Sequence, residues 1–489
     1  MKHFTDLRGY IDALDELGDL VRITREVDGD LESAAITRRS YELRSRAPLF
    51  ENIHGARPGF RVFGAPAALS SRADAPYARV ALSLGLPPQS SGQEIVEALL
   101  AARYAAPVPP VLVDPSTAPC RQNVLRDDQA SLDRFPIPMA HEHDGGRYAN
   151  TWGTLIVKTP DGSWVNWSIT RVMKVDGKRM TGPIVAPQHL GVVWEQWVAR
   201  GEPMPFALVQ GPEPAISCVS GIPVPAGVNE ADYLGALLGE PVQLVKALTV
   251  DLEVPATAEI VIEGHVSLER DSREGPFGEY AGYLGTATSM QPTYHVEAIT
   301  HRDAPIWPLV AEGRPVDECH TIMSIGYCAD AIVCLREADL PVNTVWAPPE
   351  PAGHWYVVIA PSDWRDRLPG VSSEEYARRV GDALFATKPM AMVPKLILLD
   401  DDIDPTNLGE LTWAIATRVH PTQRHVVLED RPIAFVVQSF TEEEYAAGRG
   451  SKVVYDGLQP PIGAGRLLHS SFAQAYPAEL RKHVIEHWQ

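Results

Sequence analysis

The sequence contains no uninterrupted apolar run of roughly 20 residues, the length that a membrane-spanning helix requires. Its segment Met1–Glu26 alternates charged with apolar residues. We therefore expect neither a membrane span nor a signal peptide. Cysteine is scarce as well, and the five cysteines include no C-x-x-C pair. This argues against a disulfide or zinc framework and predicts reduced thiols in a cytoplasmic protein.

Positive charge is in deficit, because 43 Lys and Arg residues face 63 Asp and Glu residues, for a formal net charge of −20. Nucleic-acid binding depends on basic side chains that neutralise phosphates, so neither nucleic acid nor an anionic membrane surface is an expected partner. The sequence also lacks a G-x-x-x-x-G-K-[ST] loop and a G-x-S-x-G elbow. This argues against a P-loop nucleotide-binding protein and against a hydrolase with a nucleophile elbow. Proline is in excess, with 43 residues spread along the chain, and this is typical of ordered loops and strand edges.

Changes in hydrophobic pattern predict a multidomain protein of mixed α+β and α/β class. Helically spaced apolar residues around one short strand indicate an N-terminal α+β unit over residues 1–108. Short β-branched and aromatic runs over 109–310 predict a β-barrel or sandwich, with one helix inserted near His189–Arg200. Alternating helices and strands indicate a C-terminal α/β domain over 318–446. A tail over 447–489 ends in a helix that we expect to reach a partner subunit.

Two clusters of acidic and histidine residues are similar to metal sites, but their local pattern favours turns. The first, His141-Glu142-His143-Asp144, precedes two glycines. Neighbouring residues on a strand point to opposite faces, so these four side chains converge poorly. The second cluster, the acidic run at 400–404, follows an apolar strand and is interpreted as a solvated turn at the strand end.

Two further segments carry polar side chains that could belong to a functional site. The β-prone run Trp164–Arg171 carries Asn166 and Arg171 at opposite strand parity. Either one of these side chains lies at the surface, or a bulge redirects the chain. The turn Pro187-Gln188-His189 leads into a helix. A histidine there either caps the helix or contributes to a phosphate or metal site.

A third segment, Glu274-Gly-Pro-Phe-Gly-Glu279, separates two carboxylates by two glycines and a proline. The backbone must bend there, so the two carboxylates either face one cavity or both face solvent. Carboxylates that lie close together have pKa values that move apart, which leaves one of them protonated near neutral pH. Such a pair would suit an acid catalyst.

Taken in order, these motifs resemble those of the UbiD-type decarboxylases, which are reversible, prenylated-FMN-dependent carboxy-lyases of aromatic and acrylic acids. The resemblance runs over essentially the whole chain. It includes Asn-Trp-Ser-Ile-x-Arg at 166–171, Pro-Gln-His at 187–189, the segment around Glu230, Glu-Gly-Pro-x-Gly-Glu at 274–279 and a C-terminal Ala-Thr-Arg. It implies that the central domain is a split β-barrel similar to those of flavin reductases.

The resemblance implies a bound prenylated FMN together with a divalent ion, usually Mn²⁺, and K⁺. The implied Mn²⁺ ligands are Asn166, His189 and Glu230. The K⁺ would be held largely by backbone carbonyls, at Trp167, Val219, Ser220 and Ile222, with Glu230 bridging both ions. Lys388 matches a lysine that reaches the cofactor phosphate, although Pro389–Met390 depart from the small residues usual there. The remaining implied cofactor-binding residues are Ser168, Ile169, Thr170, Arg171 and Gln188.

The resemblance assigns catalysis to Arg171, Glu274 and Glu279. It implies a covalent adduct between substrate and prenylated FMN, which loses CO₂ and is then reprotonated by Glu279. Arg171 would orient the substrate carboxylate through a bidentate pair, and Glu274 would complete the ionic network. Candidate pocket residues, chosen by their nearness to these motifs, are Val185, Tyr280, Cys319 and Met323.

The implied activity is the non-oxidative decarboxylation of an aromatic or heteroaromatic monocarboxylic acid. We expect a homodimer, and a flavin prenyltransferase that supplies the cofactor. Two alternatives are an ordinary FMN-dependent oxidoreductase and a non-catalytic partner subunit that binds a small acid. The pair of glutamates argues against the first, because hydride transfer does not need it. Intact Arg171, Glu274 and Glu279 argue against the second.

Overall fold

The structure is a computed structural model that describes residues 3–434, 437–461 and 463–488. Its N-terminal helices each present one apolar face to the core. The first begins where the Asp6 side chain accepts a hydrogen bond from the Gly9 N–H, and the fourth begins with a capping box of Ser91 and Glu94. The elements are α1 (Leu7–Glu16), β1 (Leu20–Ile23), α2 (Glu32–Glu42), β2 (Ala47–Phe50), β3 (Arg61–Gly64), α3 (Ala78–Ser83) and α4 (Gly92–Tyr104).

The central part of the chain is built mainly of short strands with three helices between them. Its helices are α5 (His189–Arg200), α6 (Pro214–Ser220) and α7 (Glu230–Leu238). Its strands are β4 (Val111–Leu112), β5 (Asn123–Arg126), β6 (Tyr148–Asn150), β7 (Thr154–Lys158), β8 (Val165–Ser168), β9 (Val172–Lys174), β10 (Arg179–Thr181), β11 (Met204–Gln210), β12 (Gln243–Lys246), β13 (Glu253–Pro255), β14 (Ile260–Val266), β15 (Ser272–Glu274), β16 (Ser289–Gln291), β17 (Thr293–His301) and β18 (Ile306–Leu309).

Nine of these strands form one sheet in the order β6-β9-β10-β17-β14-β11-β7-β8, with β5 paired to β17. The sheet curls, so that the Gln210 side chain on β11 donates a hydrogen bond to the Ala149 carbonyl on the edge strand β6, at 2.9 Å. This half-barrel confirms the split β-barrel that the family resemblance implies, and of the two alternatives given by the strand pattern it is the barrel. The inserted helix α5 has the predicted bounds, and it ends at Gly201 in the left-handed conformation.

The last strand of the central part returns to the N-terminal unit. β18 pairs in parallel with β3, which completes a four-stranded sheet of order β1-β2-β3-β18. The N-terminal unit of residues 1–108 therefore includes a strand that the predicted division assigned to 109–310. One apolar core is shared by α1, the strands of this sheet and the half-barrel.

The C-terminal part alternates helices with strands, as predicted. Its helices are α8 (Ser324–Glu337), α9 (Trp364–Arg367), α10 (Ser373–Phe385), α11 (Leu408–Arg418), α12 (Glu442–Ala447), α13 (Phe472–Ala475) and α14 (Ala478–Glu486). Its strands are β19 (Thr344–Trp346), β20 (Trp355–Ala360), β21 (Lys395–Asp400), β22 (His425–Pro432) and β23 (Arg449–Asp456).

The five C-terminal strands form a sheet of order β19-β20-β21-β23-β22 with a parallel centre. β23 lies beyond the predicted boundary at 446, yet its backbone pairs with both β21 and β22, so the sheet continues to Asp456. The predicted terminal helix is two helices, α13 and α14, because Pro477 interrupts them. Within the described ranges, no helix combines the length and apolar character needed to cross a bilayer.

Candidate active site

The first group of predicted site residues is arranged around the end of β8. The sequence predicts one β-run over Trp164–Arg171, but the strand ends at Ser168 and the next begins at Val172. The Asn150 side chain, on the edge strand β6, donates to the Thr170 carbonyl at 2.8 Å. Strand parity therefore does not apply to Arg171, because the chain leaves the sheet before reaching it.

Asn166 and Glu230 form a buried polar pair beside this break. Glu230 is the first residue of α7. Its Oε1 accepts from the Asn166 Nδ2 at 2.9 Å, and its Oε2 accepts from the Trp167 N–H at 2.8 Å. Burial raises the pKa of Glu230 to about 8. Asn166 Oδ1 is buried and has no hydrogen-bond partner within the described residues, so this oxygen is available to a ligand.

His189 and Lys388 complete this group from two other elements. His189 begins α5, and its ring contacts the edge of the Trp164 ring at a centroid distance of 4.9 Å. Burial, and then the charge of Lys388, lower the pKa of His189 to about 4. The imidazole is therefore neutral near pH 7, the form that ligates metals. Burial lowers the pKa of Lys388 to about 8, against the opposing charge of Glu230.

The donor set of this group suits a divalent cation. It offers an unpartnered amide oxygen, a carboxylate and a neutral imidazole, a mixture that borderline-hard ions accept. Across the described parts of the chain no three His, Cys, Asp or Glu side chains form a metal cluster. The proposed donor set is consistent with this, because, of its three residues, only Glu230 and His189 are of those types. A cofactor phosphate would then complete the coordination, next to Lys388.

The predicted K⁺ ligands lie close to the same break. The Ser220 carbonyl, at the end of α6, accepts a hydrogen bond from the Ile169 N–H at 3.1 Å. This bond joins α6 to the chain that links Asn166 to Arg171. The Val219 carbonyl accepts from the Ile222 N–H at 3.3 Å. Gln188 precedes α5, and its exposed side chain makes no capping bond.

The second group unites the three predicted catalytic residues. Arg171 Nε donates to Glu274 Oε1 at 2.8 Å, and its Nη2 donates to Glu274 Oε2 at 3.2 Å. Its Nη1 also donates to Glu279 Oε1. Both carboxylates therefore face the same guanidinium and not the solvent, because the backbone bend turns them inward. We call residues 274–280 the acid loop.

Burial and charge give this group unusual electrostatics. Burial raises the pKa of Glu279; Arg171 opposes this shift, and the charge of Glu274 adds to it. Burial alone would lower the pKa of the Arg171 guanidinium, but its hydrogen bonds to Glu274 and the charge of Glu279 outweigh burial and raise it. The arrangement thus holds a permanent cation beside a carboxyl group that can carry a proton.

The structure adds functional neighbours that sequence reasoning missed. Tyr148 donates from its hydroxyl to Glu274 Oε1 at 2.9 Å, and the Phe277 ring lies 5.3 Å from the Arg171 guanidinium carbon. Burial, and then the charge of Glu279, raise the pKa of Glu312 well above its ordinary value. No motif marks Tyr148 or Glu312, since Tyr148 bonds to a residue distant in sequence and Glu312 is affected by the charge of one.

Three of the four candidate pocket residues come together beside the acid loop. Tyr280, Cys319 and Met323 pack with Met392 in a small apolar cluster. The Tyr280 hydroxyl lies 3.0 Å from the Met392 sulfur. Val185 is largely exposed and is not a member of that cluster.

Three family models together match most of the chain. They describe the N-terminal, Rift-related and C-terminal domains of 3-octaprenyl-4-hydroxybenzoate carboxy-lyase, and they match residues 11–99, 111–315 and 320–457.

Characterised relatives match over almost the full length. The chain is 42% identical over 485 residues to pyrrole-2-carboxylic acid decarboxylase of Pseudomonas aeruginosa, covering 99% of this chain and 97% of the relative. It is 38% identical over 494 residues to ferulic acid decarboxylase 1 of Saccharomyces cerevisiae, again covering 99% and 97%. Among solved structures, an evolved dimeric form of the UbiD-class enzyme HmfF from Pelotomaculum thermopropionicum, in complex with prFMN, aligns with a TM-score of 0.79 at 27% identity. That alignment covers 97% of this chain and 99% of HmfF.

Proposed function

This chain belongs to the UbiD family of carboxy-lyases and is a decarboxylase of aromatic or heteroaromatic acids, and from that premise we propose that Arg171, Glu274 and Glu279 carry out its chemistry. One observation carries the proposal: a single buried guanidinium is shared by two carboxylates that lie 103 and 108 residues away in sequence. Such a network forms only when the folded chain brings these distant residues together, and the two carboxylates lie on a loop that needs no such network to form.

Arg171 binds and orients the substrate carboxylate in this proposal. A guanidinium presents parallel donors that match a carboxylate bidentately. Nε and Nη2 already pair with Glu274, so the edge that faces Glu279 is the one available to substrate. When Glu279 carries a proton its hold on Arg171 weakens, and the guanidinium becomes free to pair with the substrate.

Glu279 holds the proton that reaches the substrate carbon after CO₂ leaves. Burial raises its pKa, which keeps a protonated fraction at a pH where an exposed glutamate has none. Glu274 remains the partner that fixes Arg171. The two carboxylates thereby take different roles, set by their surroundings.

Prenylated FMN is the proposed cofactor, and the residues grouped around the end of β8 suit its phosphate and the ions that accompany it. Bound prenylated FMN supplies an electron sink for the pair of electrons released with CO₂. Lys388 would offer a cation to its phosphate, and the main chain of Ser168–Thr170 and the Gln188 side chain would line the flavin. Asn166, His189 and Glu230 would hold Mn²⁺ against that phosphate. The carbonyls of Trp167, Val219, Ser220 and Ile222 would hold K⁺, with Glu230 shared between both ions.

The proposed substrate is an aromatic or heteroaromatic monocarboxylate, with a fused ring as one possibility within that class. The small apolar cluster of Tyr280, Cys319, Met323 and Met392 beside the acid loop supports this, because flat rings pack well on aromatic and sulfur-containing side chains. The names of the two relatives point to the same class.

We further propose a cytoplasmic homodimer whose cofactor comes from a flavin prenyltransferase. All five cysteines are free thiols, which supports a reducing compartment. No described residue from 471 to 488 is buried, although the tail carries exposed Leu480, Ile485 and Trp488. An apolar tail left uncovered supports a second copy of the chain as its partner.

Co-production with and without a flavin prenyltransferase tests the proposal. With it, we expect a released cofactor whose mass and absorption spectrum are those of prenylated FMN, and CO₂ release from pyrrole-2-carboxylic, an indole carboxylic or ferulic acid. Without it, we expect no decarboxylation. Plain FMN in an active protein would instead favour the oxidoreductase alternative, to which the two glutamates contribute nothing.

A further inference from the structure

We propose that Asp144, His141 and His320 are positioning residues that fix the main chain on both sides of Glu279. The inference rests on the proposed role of Glu279 as proton donor, and it gives a purpose to the cluster at 141–144. Glu279 lies between Gly278 and Tyr280. Each of these neighbours is hydrogen-bonded through its backbone to a buried side chain from another part of the chain.

Asp144 holds the residue before Glu279. Its Oδ1 accepts a hydrogen bond from the Gly278 N–H at 2.9 Å, and its side chain is 1% exposed. The following residue, Gly145, donates its N–H to the Pro276 carbonyl at 2.7 Å. The turn that contains Asp144 is thus bonded to the acid loop at two points.

His141 fixes Asp144 in turn. Its Nδ1 lies 3.0 Å from Asp144 Oδ2, and its Nε2 lies 2.8 Å from the Glu312 carbonyl oxygen. A carbonyl oxygen only accepts, so Nε2 donates to it, and the His141 backbone N–H donates to Asp144 Oδ2 at 3.1 Å. The ring therefore links the turn to the segment after β18. The side chains between His141 and Asp144 are exposed, so only the first and last residues of the cluster face the loop.

The packing at this point leaves no room for a side chain at position 278. A Cβ placed on Gly278 would lie 2.6 Å from the His141 Nδ1. The second glycine of the Glu-Gly-Pro-x-Gly-Glu motif thus admits the close approach of His141. It follows that the motif and the turn at 141–144 form one unit.

His320 holds the residue after Glu279. Its Nε2 donates to the Tyr280 carbonyl at 2.8 Å, and its Nδ1 accepts from the Asp317 N–H at 2.9 Å. The imidazole is fully buried. With both nitrogens used, the ring has one orientation, and it holds the Tyr280 carbonyl in one place.

Fixing the backbone on both sides restricts where the Glu279 carboxyl can move. The ionised carboxylate must reach Arg171, and the protonated carboxyl group must reach the substrate carbon. A displacement of about 1 Å at a reacting group can cost about 10²-fold in rate. Loosening the loop at Gly278 would therefore slow proton delivery. Tyr280 stays bonded to His320, so substrate affinity, which depends on Arg171 and the apolar cluster, should stay close to its original value.

Substitution of Asp144 tests the proposal in the enzyme co-produced with a flavin prenyltransferase. For Asp144→Ala we expect kcat on pyrrole-2-carboxylate, or on the acid that the wild type turns over, to fall about 10- to 10²-fold. The substrate KM should change less than about threefold. Asp144→Asn keeps an oxygen acceptor for the Gly278 N–H, so it should restore most of kcat. Glu142→Gln and His143→Ala are matched controls on the exposed face of the same turn.

Hydrogen–deuterium exchange gives a readout that does not depend on activity. Peptides covering 274–283 should exchange faster in Asp144→Ala than in the wild type, and at the wild-type rate in Asp144→Asn and in both controls. His320→Leu should have the same effect, whereas His320→Gln retains an N–H donor and should not.

Wild-type exchange and kcat in Asp144→Ala would overturn the proposal. So would an equal loss of kcat in Asp144→Asn, because the acceptor for Gly278 is then irrelevant. If the wild type turns over no acid, the proposed function fails, and the exchange comparison still decides whether Asp144 fixes the loop.

Discussion

Glu274 and Glu279 share one guanidinium but have different partners. Three donors point at Glu274, two from Arg171 and one from Tyr148. Among the described residues, Arg171 is the one side-chain donor to the Glu279 carboxylate, and burial raises the pKa of Glu279. In the proposed mechanism Glu279, which has fewer donors and a raised pKa, is the acid. Glu274, which accepts from three donors, is the partner that fixes Arg171.

Replacement of Glu279 tests this division of roles. Glu279→Gln keeps a hydrogen-bond acceptor for Arg171 but has no carboxyl proton to give, so kcat should fall about 10²- to 10⁴-fold. Steady-state kinetics and equilibrium substrate binding would measure it, with binding nearly unchanged. Glu97→Gln, on the exposed face of α4, serves as the control. Full activity in Glu279→Gln would remove the residue from the mechanism.

The pH dependence of kcat follows from the same carboxyl group. The protonated form is the donor, and it is present below the pKa of Glu279 and lost as the pH rises through it. Because that pKa is raised, activity should persist to a higher pH than an ordinary glutamate permits, and then decline. A pH–rate profile would check this. A kcat that increases steadily with pH would contradict it.

At the scale of secondary structure, the site depends on where β8 ends and where α5 begins. β8 ends at Ser168, which frees the chain to carry Arg171 away from the sheet. α5 starts at His189 and packs its first turn tightly onto the segment before it. A Cβ on Gly191 would lie 2.6 Å from the Val185 carbonyl carbon and oxygen, so only glycine permits this contact.

A methyl group at position 191 should therefore displace the start of α5. For Gly191→Ala we expect a loss of about 1–3 kcal/mol in stability from overpacking. We also expect less Mn²⁺ and prenylated FMN retained after purification, because His189 moves with the helix. Thermal unfolding and metal analysis would measure both. Gln196→Ala, exposed on the same helix, should leave both values unchanged.

At the scale of the whole molecule, residues from distant parts of the chain meet at the half-barrel. Lys388 follows α10, Glu230 begins α7, and the acid loop follows β15. The tail is held to the end of β21 by two polar contacts. Arg466 Nη1 lies 3.5 Å from Asp400 Oδ1, and His469 Nε2 lies 3.1 Å from Asp402 Oδ2. Beyond these contacts its apolar side chains are exposed, which supports the proposed homodimer.

Removal of residues 471–489 tests the tail as a dimer contact. We expect the wild type to have the mass of two chains and the truncated protein that of one, since the exposed apolar side chains are then gone. Light scattering during size-exclusion chromatography would measure the masses. Leu43→Ser, an exposed apolar site in the N-terminal unit, is a control that should stay dimeric. A truncated dimer would locate the interface elsewhere.

The sequence by itself determined features that depend on local pattern. Its local pattern predicted a helix near α5, a β-barrel or sandwich and the alternating C-terminal part, because hydrophobic period, caps and turns act between near neighbours. Its resemblance to the family implied the split barrel and assigned catalysis to Arg171, Glu274 and Glu279. Its motifs also identified the family. It did not locate the break after Ser168, since a bulge and a surface residue fit the same parity.

Only the tertiary structure decided which side chains meet. Tyr148 and His320 bond to the acid loop from positions distant in sequence, and no local pattern records such contacts. The same holds for β18, which joins the N-terminal sheet, and for β23, which extends the C-terminal sheet past 446. For the cluster at 141–144 the local pattern favours a turn over a metal site. Folding instead directs its first and last side chains against the acid loop, because burial of Asp144 is compensated only where the Gly278 N–H and His141 can bond to it.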